Sequence, residues 1–301
     1  MCLAAFAINA SSRWPLVLAS NRDEFFDRPA LPLARWQTAA GSVIFSGRDA
    51  QAGGTWLGMA ASGRLALVTN VREGVALAAP RSRGELVLRW LDGSGDAGAF
   101  VASIDGALYG AFNLVLGDLQ SGQWHWWSNR QPGGVRSPPQ RLENGIYGLS
   151  NAALDTPWTK TVALKAALSR ALASPDQFAL EEQLWKALSR QDRAAPGDLP
   201  TTGVAPDLEL ALSSARVAIV DRNYGTRCTS LIVLEAVQEK AMPNIHYLEA
   251  SFKELTYPSL AATGQNAVDF AQAAVCRFTI PVKSSGYAAD KAANKAADEA
   301  A

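Results

Sequence analysis

The feature that most restricts the fold is an order of segments: short apolar runs joined by glycine turns, broken twice by a pair of stretches with helical spacing. Leu3 to Ile8 and Leu16 to Ala19 flank Ser11, Ser12, Arg13 and Pro15, and read as a hairpin whose second strand ends in Asn21-Arg22-Asp23-Glu24. Val43 to Ser46, Leu57 to Met59 behind Gly53-Gly54, and Leu65 to Asn70 behind Ser62-Gly63 continue the pattern, which calls for antiparallel pairing. Phe25 to Trp36, with Pro29 and Pro32, reads as an ordered loop.

The first helical pair covers Pro80 to Leu91 and Asp96 to Ile104. Ser82 stands as a cap with Glu85 three residues on, and Leu86, Val87 and Trp90 recur at helical spacing. Asn113 to Leu116 and Trp124 to Trp127 form a strand pair, and Tyr147 to Asn151 is a strand ending in asparagine. The second helical pair runs from Thr156-Pro157, with Pro157 at the favoured first position, to about Ala173, and then from Gln177 to Leu188. Arg193 to Leu208 is a loop; Ala215 to Val220, Thr229 to Glu235, Ile245 to Phe252 and Val275 to Val282 are strand candidates. This order suits an α+β layered sandwich better than regular β-α alternation. The expected organisation is one domain over 1–252 and an extension over 253–301, partly disordered where Ala288 to Ala301 turns alanine-rich.

The 301 residues carry 28 basic and 28 acidic side chains, with no Lys/Arg run for nucleic acid. No apolar run approaches the roughly 20 residues of a membrane span. Three cysteines (Cys2, Cys228, Cys276) are too few and scattered for a disulfide framework or a zinc site, and fit a reducing compartment. The N-terminus lacks a basic segment and a long apolar core, so a cytoplasmic location is expected. His125 and His246 are isolated, and no P-loop, dinucleotide fingerprint or G-x-S-x-G elbow is present. The expectation is therefore no cofactor and no metal, a small-molecule substrate or ligand as partner, no nucleic acid and no membrane span.

Cys2 is where chemistry concentrates. Removal of Met1 would leave one residue carrying a thiol and a free α-amine, with the hairpin returning Arg22 and Asp23 towards it. An α-amine titrates near about 7.7–8.0 and a thiol near about 8.5, so the amine can serve as base for its own nucleophile without a histidine. A nearby guanidinium raises the thiolate fraction. The plainer reading of Cys2 is a small buried hydrophobe at a strand start. Asn70 and Asn151 end strands, where asparagine is common, and as two amide donors they would suit an oxyanion.

Met1-Cys2, Asn21-Arg22-Asp23-Glu24, Gly53-Gly54-Thr55-Trp56-Leu57-Gly58, Thr69-Asn70, Gly148-Leu149-Ser150-Asn151 and Tyr224-Gly225-Thr226-Arg227, in that order, resemble the NRDE family, the group that includes the transport and Golgi organisation protein 2 homologues. The resemblance spans roughly residues 1 to 252. It implies kinship with N-terminal-nucleophile hydrolases of the choloylglycine and penicillin V acylase kind, and so a four-layer α-β-β-α sandwich of two antiparallel sheets flanked by helices. It further implies Cys2 as nucleophile, Arg22 and Asp23 as the pair beside it, Asn70 as an oxyanion donor, Asn151 as a second asparagine and Arg227 as a late arginine. Those enzymes separate arginine and aspartate by a few positions; here the two are adjacent and would face opposite sides of a regular strand. The function implied is hydrolysis of a C–N amide bond in a small acyl or peptide-like molecule. The alternative is a non-catalytic binding or trafficking protein for haem or for lipid and acyl-CoA, although the candidate axial ligands His125, His246, Met59 and Cys228 share no motif. A third reading is a redox-reactive thiol at Cys2.

Overall fold

A computed structural model describes residues 2–74, 79–131, 137–237, 245–257, 259 and 272–283. The chain begins with β1 (Cys2–Ile8), β2 (Leu16–Phe25), β3 (Ala30–Gln37), β4 (Val43–Asp49), β5 (Leu57–Ala60) and β6 (Arg64–Asn70). Helices α1 (Gly84–Asp92) and α2 (Ala97–Ala102) follow, then β7 (Phe112–Asp118), β8 (Gln123–Ser128), β9 (Gln140–Leu142) and β10 (Gly145–Leu149). The remainder is α3 (Thr159–Ala171), α4 (Gln177–Leu188), α5 (Pro206–Ala211), β11 (Ala218–Ile219), β12 (Tyr224–Val237), β13 (Ile245–Thr256) and β14 (Ala274–Lys283).

The strands make two seven-stranded antiparallel sheets. One has the order β10-β1-β2-β12-β13-β14, with β11 added to β12, and the other runs β3 to β9 in sequence order. Three apolar clusters separate the layers. Ala4, Phe6, Leu18, Leu57, Leu67, Trp124 and Ile232 pack between the sheets. Leu3, Ala5, Val17, Leu164, Leu184 and Leu231 join the first sheet to α3 and α4. Ala66, Val68, Leu86, Trp90, Leu114 and Trp127 join the second sheet to α1. The result is the expected four-layer α-β-β-α sandwich. Because both faces of each sheet are covered, β1 is buried at every position and reads as a continuous apolar run instead of an alternating one.

Several expectations need correction. The proline-bearing stretch Phe25 to Trp36, for which a loop is expected, contains β3, an edge strand with a register shift between Leu31 and Ala34. An edge and a bulge are where a sheet accepts Pro32, whose missing N–H then breaks no ladder. Helix α3 starts at Thr159 behind Trp158, so Pro157 lies outside it. Helix α1 is preceded by Arg83 without a side-chain cap, and Ser82 only accepts a 3.4 Å bond from the Gly84 N–H. The Arg193–Leu208 loop runs into α5, and the strand expected from Ala215 shrinks to Ala218–Ile219. Past residue 252, β13 continues to Thr256 and β14 pairs along it. Residues 284–301, where the disordered tail was expected, lie outside the described residues.

Candidate functional site

The site begins with the alternation of β2. Leu18 belongs to the core between the sheets and Val17 to the core under the helices, so the following residues divide in the same way. Asn21 turns to the helices, donating to the Leu188 and Ala215 carbonyls at 2.9 and 2.8 Å and accepting from Thr229 Oγ1 at 2.6 Å. Asp23 follows it, with Thr226 Oγ1 donating to Asp23 Oδ1 at 2.7 Å. Arg22 turns the other way: its guanidinium lies 4.3 Å from the Trp56 ring centroid, 3.6 Å from Glu24 and 3.8 Å from Asp49. The adjacent arginine and aspartate thus serve different layers.

Cys2 opens β1 directly opposite Arg22 and shares the inter-sheet face of Ala4 and Phe6. It is buried, and its carbonyl accepts a 2.9 Å bond from Ser150 Oγ. Burial, foremost, pushes the Cys2 thiol up; the positive chain terminus acts against it, Asp23 and Glu24 act with burial, and Arg22 opposes them. Arg22 Nη1 is a buried donor with no acceptor among the described residues.

The ends of β6 and β10 are laced together beside this point. Thr69 Oγ1 donates to the Ser150 carbonyl (2.8 Å), Asn151 Nδ2 to the Asn70 carbonyl (2.8 Å), and the Arg72 N–H to the Asn151 carbonyl (2.7 Å). Asn151 is fully buried, whereas Asn70 is half-buried and its side chain makes no hydrogen bond among the described residues. Both asparagines border a cavity of about 550 Å³, together with Arg28, Arg72, Arg83 and Arg130. Cys2, Arg22, Asp23 and Arg227 are not on its walls.

One wall is fixed by a backbone crossing. The Thr55 N–H donates to the Gly84 carbonyl at 3.2 Å, and a Cβ at Gly54 would lie 2.5 Å from the Gly84 carbonyl carbon. Only glycine allows this approach, and it sets the start of α1, with Arg83, at the cavity.

Arg227 occupies the register shift of β12 between Thr226 and Cys228. Its Nη1 donates to the carbonyls of Phe25, Phe26 and Arg28 at 2.9, 3.2 and 2.8 Å, clasping the loop after β2. The shift lets Thr226 face Asp23 while Cys228 enters the core between the sheets.

Sequence reasoning missed three buried or half-buried cations. Arg72 is ion-paired with Glu209, both nearly inaccessible. Arg83 gives its Nη1 to the Ala111 carbonyl at 3.1 Å. Lys160, whose Nζ donates to the Leu212 carbonyl at 2.8 Å, is pushed down to about 8 by burial, with Asp23 opposing. The only sequence signal was the Arg81-Ser82-Arg83 cluster ahead of α1. Of the suggested haem ligands, Met59 and Cys228 are buried between the sheets, and burial with Arg141 lowers the basicity of His125. The His246 side chain lies outside the described residues. Among the described residues no group of three metal-ligating side chains occurs, and no helix is long and apolar enough to cross a membrane.

Among solved structures, the chain is similar to a Caenorhabditis elegans N-acylethanolamine-hydrolyzing acid amidase ortholog (10% identity, TM-score 0.44, 61% of this chain and 85% of that one). It is similar also to penicillin V acylase from Agrobacterium tumefaciens (12% identity, TM-score 0.44, 81% and 84%). In sequence it is 33% identical over 252 residues to the Bos taurus transport and Golgi organization protein 2 homolog, covering 78% of this chain and 89% of the relative. The model of the family described as Transport and Golgi organisation 2 matches residues 1–254, and the chain belongs to that family.

Proposed function

We propose that the protein is an N-terminal-nucleophile hydrolase that cleaves a C–N amide bond of a small acyl or peptide-like substrate through Cys2. The observation that carries this reading is the place of Cys2: first residue of β1, on the inter-sheet face, opposite an arginine with an unsatisfied buried donor. Once Met1 is removed, the α-amine takes the thiol proton and the thiolate attacks the carbonyl carbon, forming a C–S bond and an oxyanion. Asn70, whose amide makes no hydrogen bond among the described residues, is the side-chain donor for that oxyanion. Collapse breaks the C–N bond, the leaving amine takes the proton back, and water hydrolyses the thioester to release the acid and restore the thiol. In this reading Asp23 acts from the helix side on the charge of the terminus, while Asn151 and Arg227 hold the strand ends and the neighbouring loop.

Intact mass before and after brief iodoacetamide treatment tests the reading. Loss of the methionine mass with fast single alkylation at Cys2 is expected, and Cys2→Ala should reduce turnover on a panel of acyl amides by at least about a thousandfold. Retained Met1, or turnover indifferent to Cys2→Ala, overturns it.

A second reading is favoured by the placement of Cys2, which is buried and not on the walls of the neighbouring cavity. In it the fold binds a small ligand without turnover. The names of the relatives, which speak of transport and Golgi organisation, agree with such a role.

A further inference from the structure

Among the described residues, the cavity beside the strand ends is lined by five arginines, Arg28, Arg72, Arg81, Arg83 and Arg130, against one acidic residue, Glu73. Four of the five are already matched by a carboxylate. Arg28 meets Asp49 at 2.7 Å, Arg130 meets Glu73 at 2.6 Å, Arg81 meets Glu85 at 3.1 Å, and Arg72 is paired with Glu209. Arg83 is the exception. Among the described residues its guanidinium binds only the Ala111 carbonyl, and no carboxylate stands within ion-pair distance of it.

A half-buried guanidinium without a counter-charge is costly, because desolvation penalises it and nothing nearby repays the penalty. Burial does lower the basicity of Arg83; the groups acting on it electrostatically are Cys2 and Glu24, which raise it, and Arg28, which lowers it. Cys2 is not on the cavity wall, yet its ionised form favours the Arg83 charge. A planar guanidinium presents a fork of donors matched to carboxylate and phosphate oxygens.

We infer that Arg83 is the specificity-determining residue of this cavity and binds an oxyanion, carboxylate or phosphate, carried by the substrate at a position remote from the bond that Cys2 attacks. The inference rests on the hydrolase reading for the word substrate; the oxyanion site itself stands on the unmatched charge.

Two measurements on the full chain separate the inference from that reading. The first is calorimetric titration with pyrophosphate and with succinate, at low ionic strength, of the wild-type protein, Arg83→Lys and Arg83→Gln. At least one anion should bind the wild type about tenfold or more tighter than Arg83→Gln, with Arg83→Lys in between because it keeps the charge and loses the fork; the one that binds identifies the oxyanion. Failure of both anions to bind, or equal binding by Arg83→Gln, overturns the inference whatever Cys2 does. The second is the ratio of Cys2 alkylation rates by anionic iodoacetate and neutral iodoacetamide, which should fall about tenfold in Arg83→Gln and recover in Arg83→Lys. An unchanged ratio in a reactive protein refutes the inference and leaves the hydrolase reading intact. A Cys2 inert to both reagents in a chain that binds the anion refutes the hydrolase reading and leaves Arg83 its role.

Discussion

Glu209→Gln should be among the most damaging single substitutions outside the apolar cores. Glu209 and Arg72 form an ion pair with side-chain exposures of 3% and 4%. The same carboxylate accepts the Thr202 N–H at 3.3 Å and the Thr202 hydroxyl. Among the described residues Arg72 has no other counter-charge in bonding range: its Nε and Nη2 are buried without acceptors, and its guanidinium lies 4.8 Å from the Trp158 ring centroid. Burial lowers the Arg72 basicity even though Glu209 raises it, so desolvation outweighs the pairing before any mutation is made. Glutamine keeps the shape and removes the charge. Breaking a buried pair from one side costs about 3–5 kcal/mol. With a urea slope of about 3 kcal/mol/M, the unfolding midpoint should drop by about 1–1.7 M. Replacing both partners by apolar residues (Arg72→Met with Glu209→Leu) should recover most of the loss, since a buried pair often returns little more than its desolvation cost. Urea titration followed by tryptophan fluorescence is the assay. A midpoint shift below about 0.3 M for Glu209→Gln with an unchanged slope would refute the reasoning and place water or another anion at Arg72.

Lys160 supplies a pH signature. Its folded value of about 8 lies below the ordinary 10.5, so its contribution is fully present above about 10.5 and is lost as pH falls through about 8. Lys160→Met should therefore gain on the wild type by about 3 kcal/mol between pH 10.5 and 7; urea midpoints across that range that stay parallel would count against it. Gly54→Ala should destabilise by about 1–3 kcal/mol through overpacking against the Gly84 backbone, seen as a melting temperature several degrees lower. An unshifted melt would mean that the crossing yields without strain.

The layered fold was legible because each apolar run was bounded by turn chemistry that no helix tolerates. Gly53-Gly54 and Ser62-Gly63 marked the turns around β5, and the two helix pairs interrupted the strands once within each sheet. What escaped was set by tertiary context. Strand β3 was hidden because Pro32 looks like a breaker until an edge and a register shift accommodate it. The split of Arg22 from Asp23 followed from strand alternation, whereas the clasp of Arg227 on three carbonyls depends on a bulge that no local pattern announces. Arg83 was absorbed into the start of a helix; its significance comes from the carboxylates that its neighbours have and it lacks.

The division of Asn21 to Glu24 between two layers has a consequence for thermodynamic coupling. Pairs that share partners show interaction energies, and pairs that share none add independently. Double-mutant cycles should therefore couple Asn21 to Thr229 and Asp23 to Thr226, and Arg22 to Trp56 and Asp49, each more strongly than Arg22 couples to Asp23, whose common link is the Cys2 thiol. In this tetrad sequence adjacency and energetic adjacency part company: the strand works as two interleaved codes, and a variant on one face is rescued from its own layer, not from the residue beside it.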